Sequence, residues 1–369
     1  MGPTLSTAGG DCGGAPCHPP RTDQPFVSGT VSTPAGQLPR VTARLSAADH
    51  WGRIKARWGV GRMHYSVDPG LYALGNPGQH APVLVTASYK MSFDCLRRAL
   101  AGRSAWILVL DTEGINVWCA AGKGTFGTAE LIRRIEASGL ARVVAHRTLV
   151  LPQLGAPGVA AHQVRRRSGF KVVYGPVRAE DLPAFLDSGL KATPAMRRKS
   201  FPFAERAVLV PIELVGALKY ALPALPVFFV LSALGAEGSF WAAGVSGALW
   251  AALALLAAIL AGAVVTPLLL PWLPGRAFAL KGLWPGLAAA ALWALLRLPR
   301  AAAPGDTVEI LAWLLLIPAA SAYLAMNFTG ASTYTSRSGV KKEMRWALPA
   351  QIAAGAVGVL LWTGARFLA

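Results

Sequence analysis

Charge is scarce in this 369-residue chain and leans one way: 15% of residues are charged, 18 acidic against 36 basic. A soluble globular domain carries about 25% charged residues. The shortage is also uneven. Met1 to Arg206 holds 26 Lys/Arg and 13 Asp/Glu, whereas Ala207 to Ala369 holds 10 and 5. The second part contains charge-free runs at 220–236, 238–275, 282–296, 310–336 and 346–365. About 20 apolar residues suffice to cross a hydrocarbon core of roughly 30 Å. One soluble globule is excluded.

Cysteine is rarer still, at Cys12, Cys17, Cys95 and Cys119. A Cys-x2-Cys-x2-Cys run is absent, so this chain carries no cluster motif of the ferredoxin kind. The N-terminus lacks the charged, apolar, small-residue order of an export signal. The part that follows is therefore expected in the cytoplasm, where a disulfide framework is not expected. Nucleic-acid signatures are missing too. Arg165-Arg166-Arg167 and Arg197-Arg198-Lys199 have no interleaved aromatics, and no zinc-finger or RNA-recognition pattern occurs. The net charge of +18 is better explained by lipid headgroups, because the second cluster precedes the first apolar run.

Of the first 40 residues, 22 are Gly, Pro, Ser or Thr, a composition that predicts disorder over 1–50. Residues 51–206 alternate apolar runs with amphipathic stretches. Strands are predicted at 82–86, 106–110, 142–145 and 171–174. Helices are predicted at 92–101 (capped by Ser92), 127–138, 159–167 and 178–187. The fold class is α/β, a Rossmann-like parallel sheet with helices on both faces, followed over 207–369 by an all-α polytopic transmembrane domain. About five spans are expected: 218–236, 240–265, 283–299, 308–327 and 347–365.

Ligands of such sheets sit beyond the carboxyl ends of the strands. Four loops qualify: 87–91, 112–125, 152–158 and 175–177. The second is longer than a turn requires and places Trp118, Cys119 and Lys123 on a short predicted helix over 117–122. A phosphate-binding loop is excluded, because Val117 and Gly124 stand where that motif needs Gly and Ser/Thr. A packed, inert thiol is the plain alternative. The other is a thiolate ligand, which a helix N-terminus favours. One Cys does not hold a free zinc ion or an iron–sulfur cluster. It suffices only where a macrocycle, haem or corrinoid, supplies the remaining donors.

The segment Asn116-Val-Trp-Cys-Ala-Ala-Gly-Lys123 resembles the cap-helix signature of the membrane corrinoid proteins of anaerobic mercury methylation. The resemblance extends through Tyr72–Pro77, Val83–Thr86 with Tyr89-Lys90, Pro152–Gly158, Tyr174–Arg178 and Asn327–Ser336. The strand and Tyr-Lys segment also resembles the large subunit of the corrinoid/iron–sulfur protein of acetyl-CoA synthesis, which as a family lacks the Cys-bearing signature. The resemblance implies a base-off, cobalamin-like corrinoid with Cys119 as axial ligand to cobalt. The His-ligated alternative, an Asp-x-His-x-x-Gly loop, is absent. It further implies that Asn116, Val117, Trp118, Cys119, Ala120, Ala121, Gly122 and Lys123 contact the cofactor. Thr86, Gly155 and Gly175 are expected to contribute from the other loops.

The activity so implied is a corrinoid-dependent methyltransferase passing a methyl group from Cys-ligated cobalt to Hg(II). The methyl must leave with the bonding electron pair, and an anionic sulfur stabilises the oxidised cobalt left behind. Two electrons then restore Co(I), which implies a ferredoxin-like iron–sulfur partner and a methyl donor such as a methylated folate or methylated corrinoid protein. The partner's cysteines would deliver Hg(II), a soft ion. Cys12 and Cys17 are a second conceivable relay. The alternatives are a membrane corrinoid carrier with another methyl acceptor, and a non-catalytic corrinoid- or metal-binding membrane protein. Basic residues in the loops 266–282 and 328–346 outnumber those on the other side six to three. This predicts a multi-pass protein of the cytoplasmic membrane with the α/β domain and the 327–344 loop inside the cell.

Overall fold

Three apolar runs, β3 (Gly70–Leu74), β4 (Val83–Ala87) and β5 (Ala105–Leu110), are buried along their whole length. Strands covered on both faces need no polar alternation, and these form the centre of a sheet. The structure is a computed structural model describing residues 19–234, 239–301, 303–328 and 337–368. The chain divides into two compact units, Met1–Ala56 with Val60–Lys199, and Arg57–Gly59 with Ser200–Ala369.

The first unit is a seven-stranded sheet in the order β1-β2-β3-β5-β4-β6-β7. The outer strands are β1 (Val27–Thr33), β2 (Gly36–Val41), β6 (Thr148–Leu151) and β7 (Lys171–Tyr174). Strands β4, β5, β6 and β7 run parallel, while β3 is antiparallel to β5 and β1 to β2. The helices are α1 (Ala47–Arg57), α2 (Lys90–Ala99), α3 (Val117–Lys123), α4 (Thr128–Ala137), α5 (Leu140–Val143), α6 (Ala161–Ser168) and α7 (Leu182–Asp187).

Alternate strand residues feed two cores. Val83, Val85 and Ala87 pack with Leu131 and Ile132 of α4 and Val164 of α6. Leu84 packs with Phe93 of α2 and Phe185 of α7. The chain therefore leaves β4 toward one face and leaves β5 and β6 toward the other. That reversal brackets the carboxyl end of β4, the place where open α/β sheets bind ligands.

Three expectations are corrected. The hairpin β1–β2 occupies part of the stretch expected to be disordered; Phe26, Leu38 and Val41 are buried there, anchoring a segment whose overall composition is polar. Residues 1–18, including Cys12 and Cys17, lie outside the described residues. The strand expected at 142–145 is instead the end of α5, followed by β6 at Thr148–Leu151. A short apolar run such as Val143-Val144 does not distinguish helix from strand. Helix α2 begins two residues before Ser92, at Lys90, with Tyr89 as its N-cap and no side-chain cap bond.

The second unit contains α8 (Phe203–Ala207), α9 (Val210–Leu234), α10 (Phe240–Ile259), α11 (Thr266–Leu269), α12 (Phe278–Arg297), α13 (Pro304–Asn327) and α14 (Arg337–Ala365). Five helical stretches among the described residues are long and apolar enough to cross a membrane. They reach past the apolar windows: the last begins ten residues before Ala347, so Lys341, Lys342 and Arg345 ride on helix. The resemblance at 327–336 falls largely on residues 329–336, outside the described residues. Small residues let α12 and α13 approach; a Cβ on Gly282 would stand 2.4 Å from Ala325 Cβ.

Candidate functional site at the carboxyl end of the sheet

The loop leaving β5 is fixed before it becomes helix. Ser88, just after β4, and Thr112, just after β5, are both buried and bond reciprocally. Ser88 N donates to Thr112 Oγ1 at 3.2 Å, and Thr112 N donates to Ser88 Oγ at 3.1 Å. Thr112 Oγ1 also donates to Ile115 O at 2.7 Å. Between them Glu113 (φ 56°) and Gly114 (φ 69°) take left-handed conformations, turning the chain back over the strand ends.

Helix α3 starts at this pinned loop. Asn116 is its N-cap, and its Oδ1 accepts from Cys119 N at 2.9 Å, the bond that gives Asn its preference at this position. Val117, Ala120 and Ala121, spaced three and four apart, enter the core with Phe126. Trp118 and Cys119 are half-buried, and Gly122 and Lys123 are exposed. Cys119 is a free thiol away from the face that packs on the sheet.

The loop after β6 clamps the other side of α3. A Cβ on Gly155 would stand 2.5 Å from Phe126 Cε1, and one on Gly158 would stand 2.1 Å from Phe126 O and 3.0 Å from Ala121 Cα. Only glycine permits that approach. The structure thus gathers Asn116–Lys123 and Gly155. It places two other expected residues on the opposite face of the sheet. Thr86, two residues after Leu84 on β4, shares its α2/α7 face, and Gly175 packs toward Val150 and Phe185 of that same core. Sequence reasoning missed Ser88, Thr112, Phe126 and Gly158, whose roles depend on contacts across loops.

A second feature, which sequence reasoning did not single out, lies on α2. Lys90, Asp94 and Arg97 sit three and four apart on α2, an ion-pairing interval, and with Asp49 of α1 they form a buried network. Lys90 Nζ lies 2.6 Å from Asp49 Oδ1 and 2.8 Å from Asp94 Oδ1; Arg97 lies 2.7 Å from Asp49 Oδ2 and 2.8 Å from Asp94 Oδ1. Arg97 Nη1 also donates to Thr42 O at 2.7 Å, tying the end of β2 to α2. Burial alone would raise the Asp49 carboxyl, but hydrogen bonds from Lys90, Ser46 and Arg97 override it and hold the group well below the usual carboxylate range.

Among the described residues no group of three or more His, Cys, Asp or Glu is placed to hold a metal ion. Cys95, the other described thiol, is half-buried on α2, and burial pushes its thiol up, toward the inert form. A cavity of about 590 Å³ opens at the other end of the strands, lined by His80, Val83, Arg103, His146, Thr148 and Asp187. It is remote from the Cys119 loop, because Val83 and Thr148 begin their strands.

Residues 60–186, the stretch carrying this geometry, match the family described as CO dehydrogenase/acetyl-CoA synthase delta subunit. The acetyl-CoA decarbonylase/synthase complex subunit gamma of Methanopyrus kandleri is 35% identical over 129 residues, covering 34% of this chain and 27% of that protein. The subunit of the same name from Archaeoglobus fulgidus is 31% identical over 128 residues, with 34% and 27% covered. That from Methanothermobacter thermautotrophicus is 28% identical over 128 residues, with 34% and 28% covered. The α/β unit is their distant relative. The chain spans just over a quarter of the length of these relatives. The family match ends at Leu186, before the apolar helices begin.

Proposed function

We propose that the α/β unit binds a corrinoid through Cys119 and serves as a methyltransferase with Hg(II) as the methyl acceptor. The observation that carries this reading is the setting of Cys119, a free thiol on the outward side of a helix locked between two loops at the ligand edge of the sheet. The residues fit such a group. One sulfur is offered where, among the described residues, no group of three or more His, Cys, Asp or Glu could hold a metal ion, which suits a metal already held by a macrocycle. The relation to acetyl-CoA decarbonylase/synthase subunits supports a one-carbon role. The Asn116–Lys123 signature, with its thiol, supports the mercury-methylating branch.

When bound, the corrinoid supplies a transferable methyl group on cobalt. The chain's own residues hold and tune. Cys119 would hold the group through its sulfur, and an anionic sulfur there would favour methyl transfer to a soft cation. Asn116 holds the backbone of Cys119 in place. Val117, Ala120 and Ala121 pack in the core with Phe126, and Gly158 closes on Ala121, which would hold α3 in place with the group bound. Trp118, Gly122 and Lys123 lie on the part of the helix left open to a ligand. Electrons are assigned to a ferredoxin-like iron–sulfur partner, and the methyl group to a methylated folate or methylated corrinoid protein. The apolar helices are assigned to the cytoplasmic membrane, with the α/β unit on the cytoplasmic side.

Full-length protein in detergent, loaded with methylcobalamin and given Hg(II), is expected to form up to one equivalent of methylmercury, and to turn over repeatedly once a methyl donor and a reduced ferredoxin are added. Cys119→Ala is expected to reduce this by at least a hundredfold. A wild-type protein that binds the cofactor yet methylates a thiol or folate acceptor and not Hg(II) would instead favour the carrier reading. Full activity in Cys119→Ala would remove the thiolate from the mechanism.

A further inference from the structure

The apolar unit carries a polar cluster that methyl transfer does not use. It gathers at the end of the bundle where α9, α12 and α14 finish and α10 and α13 begin. Three helices repeat one arrangement, a tryptophan with a charged residue one turn nearer or just past the helix end: Trp293 and Arg297, Trp313 and Glu309, Trp362 and Arg366. Residues four apart share a helix face. Phe228 of α9 joins the ring layer, with centroids 5.6 Å from Trp313 and 4.8 Å from Trp362. In the charged layer Arg297 lies 2.6 Å from Asp306 and 3.4 Å from Glu309, and Arg366 Nη2 lies 3.0 Å from Glu309 Oε1. The Arg366 guanidinium sits over the Trp362 ring at 4.5 Å.

Two carboxylates do not satisfy these donors. Arg297 Nε, Arg366 Nε, Trp313 Nε1 and Trp362 Nε1 are buried without a hydrogen-bond acceptor among the described residues. Arg366 Nη2 has Glu309 at ion-pair distance but lacks hydrogen-bond geometry. Trp293 shows the contrast, since its Nε1 donates to Trp250 O at 3.3 Å. Every orphan in the cluster is a donor. Buried donors are costly to leave unmade, and an indole N–H has nothing to offer a cation. Among the described residues, what is missing is an acceptor with negative charge.

We propose that this cluster binds an oxyanion of the phosphate class, held by Arg366 and Arg297 with Trp313 and Trp362 as neutral donors. Guanidinium groups suit phosphate oxygens in number and geometry. The group has two possible sources, a phospholipid headgroup at the membrane surface or free phosphate in the adjoining water. The proposal stands apart from the corrinoid reading, since it uses no residue of the α/β unit.

The test uses full-length protein in dodecyl maltoside and phosphate-free buffer, titrated calorimetrically with dihexanoylphosphatidylglycerol and, separately, inorganic phosphate. Saturable binding of the lipid alone assigns the site to a headgroup; saturable binding of inorganic phosphate assigns it to a free anion. In either case Trp313→Phe and Trp362→Phe, which keep the ring and remove one N–H, are expected to weaken binding at least tenfold. Trp284→Phe, on an exposed part of α12, is expected to change it less than twofold. Arg366→Met is expected to abolish binding; should that chain misfold, the two phenylalanine variants carry the test. No saturable binding of either probe, or binding of unchanged strength in both phenylalanine variants, overturns the proposal.

Discussion

Gly158 shows how much of the site rests on single atoms. A methyl group there would stand 2.1 Å from Phe126 O and 3.0 Å from Ala121 Cα, so either the loop or α3 must shift. Gly158→Ala is expected to destabilise the α/β unit by about 1–3 kcal/mol and to weaken corrinoid binding, measured by thermal melting and cofactor titration. Asn116→Ala removes only the cap bond to Cys119 N and is expected to cost about 1 kcal/mol. Cys119 itself was legible because a thiol within a long loop at the strand ends is conspicuous. Ser88, Thr112 and Gly158 were not, since nothing in a local window tells which loop a hydroxyl or a bare backbone will meet.

At the scale of elements, the buried Lys90–Asp49–Asp94–Arg97 network joins α1, α2 and the end of β2. Removing one charge strands the others in a dry interior. Asp94→Asn is therefore expected to cost about 3–5 kcal/mol, read as a lowered melting temperature. Asp49 gives the network a pH dependence with a definite sign. Its carboxyl is held below the ordinary value of about 3.9 in the folded chain, so its contribution is complete above that value. The contribution fades as pH falls below it. Wild-type melting temperature is expected to drop below about pH 4, while Asp49→Asn, already destabilised, should show a flatter acid limb. The central strands were legible from their uninterrupted apolar runs. β3 passed unnoticed, and β6 was displaced, because short apolar stretches fit strand and helix equally and their pairing is decided across the sheet.

For the whole molecule, the division into a charged α/β unit and an apolar helical unit follows from where charge is missing. The five long apolar helices were legible for that reason, although their ends were not, since helix continues through Lys341 and Arg345 beyond the apolar window. On the proposed reading, five crossings put the two ends of the apolar unit's chain on opposite sides of the membrane. The proposed orientation, with the α/β unit inside the cell, predicts that a cysteine introduced at Leu368 reacts with a membrane-impermeant maleimide added to intact cells and that one at Arg276 does not. The measurement that bears most directly on the role of Cys119 is the visible spectrum of full-length protein loaded with cobalamin, wild type beside Cys119→Ala. A sulfur-to-cobalt charge-transfer band that vanishes in the variant, with cofactor still bound, is the expected result. Identical spectra from the two loaded proteins would contradict axial ligation by this thiol.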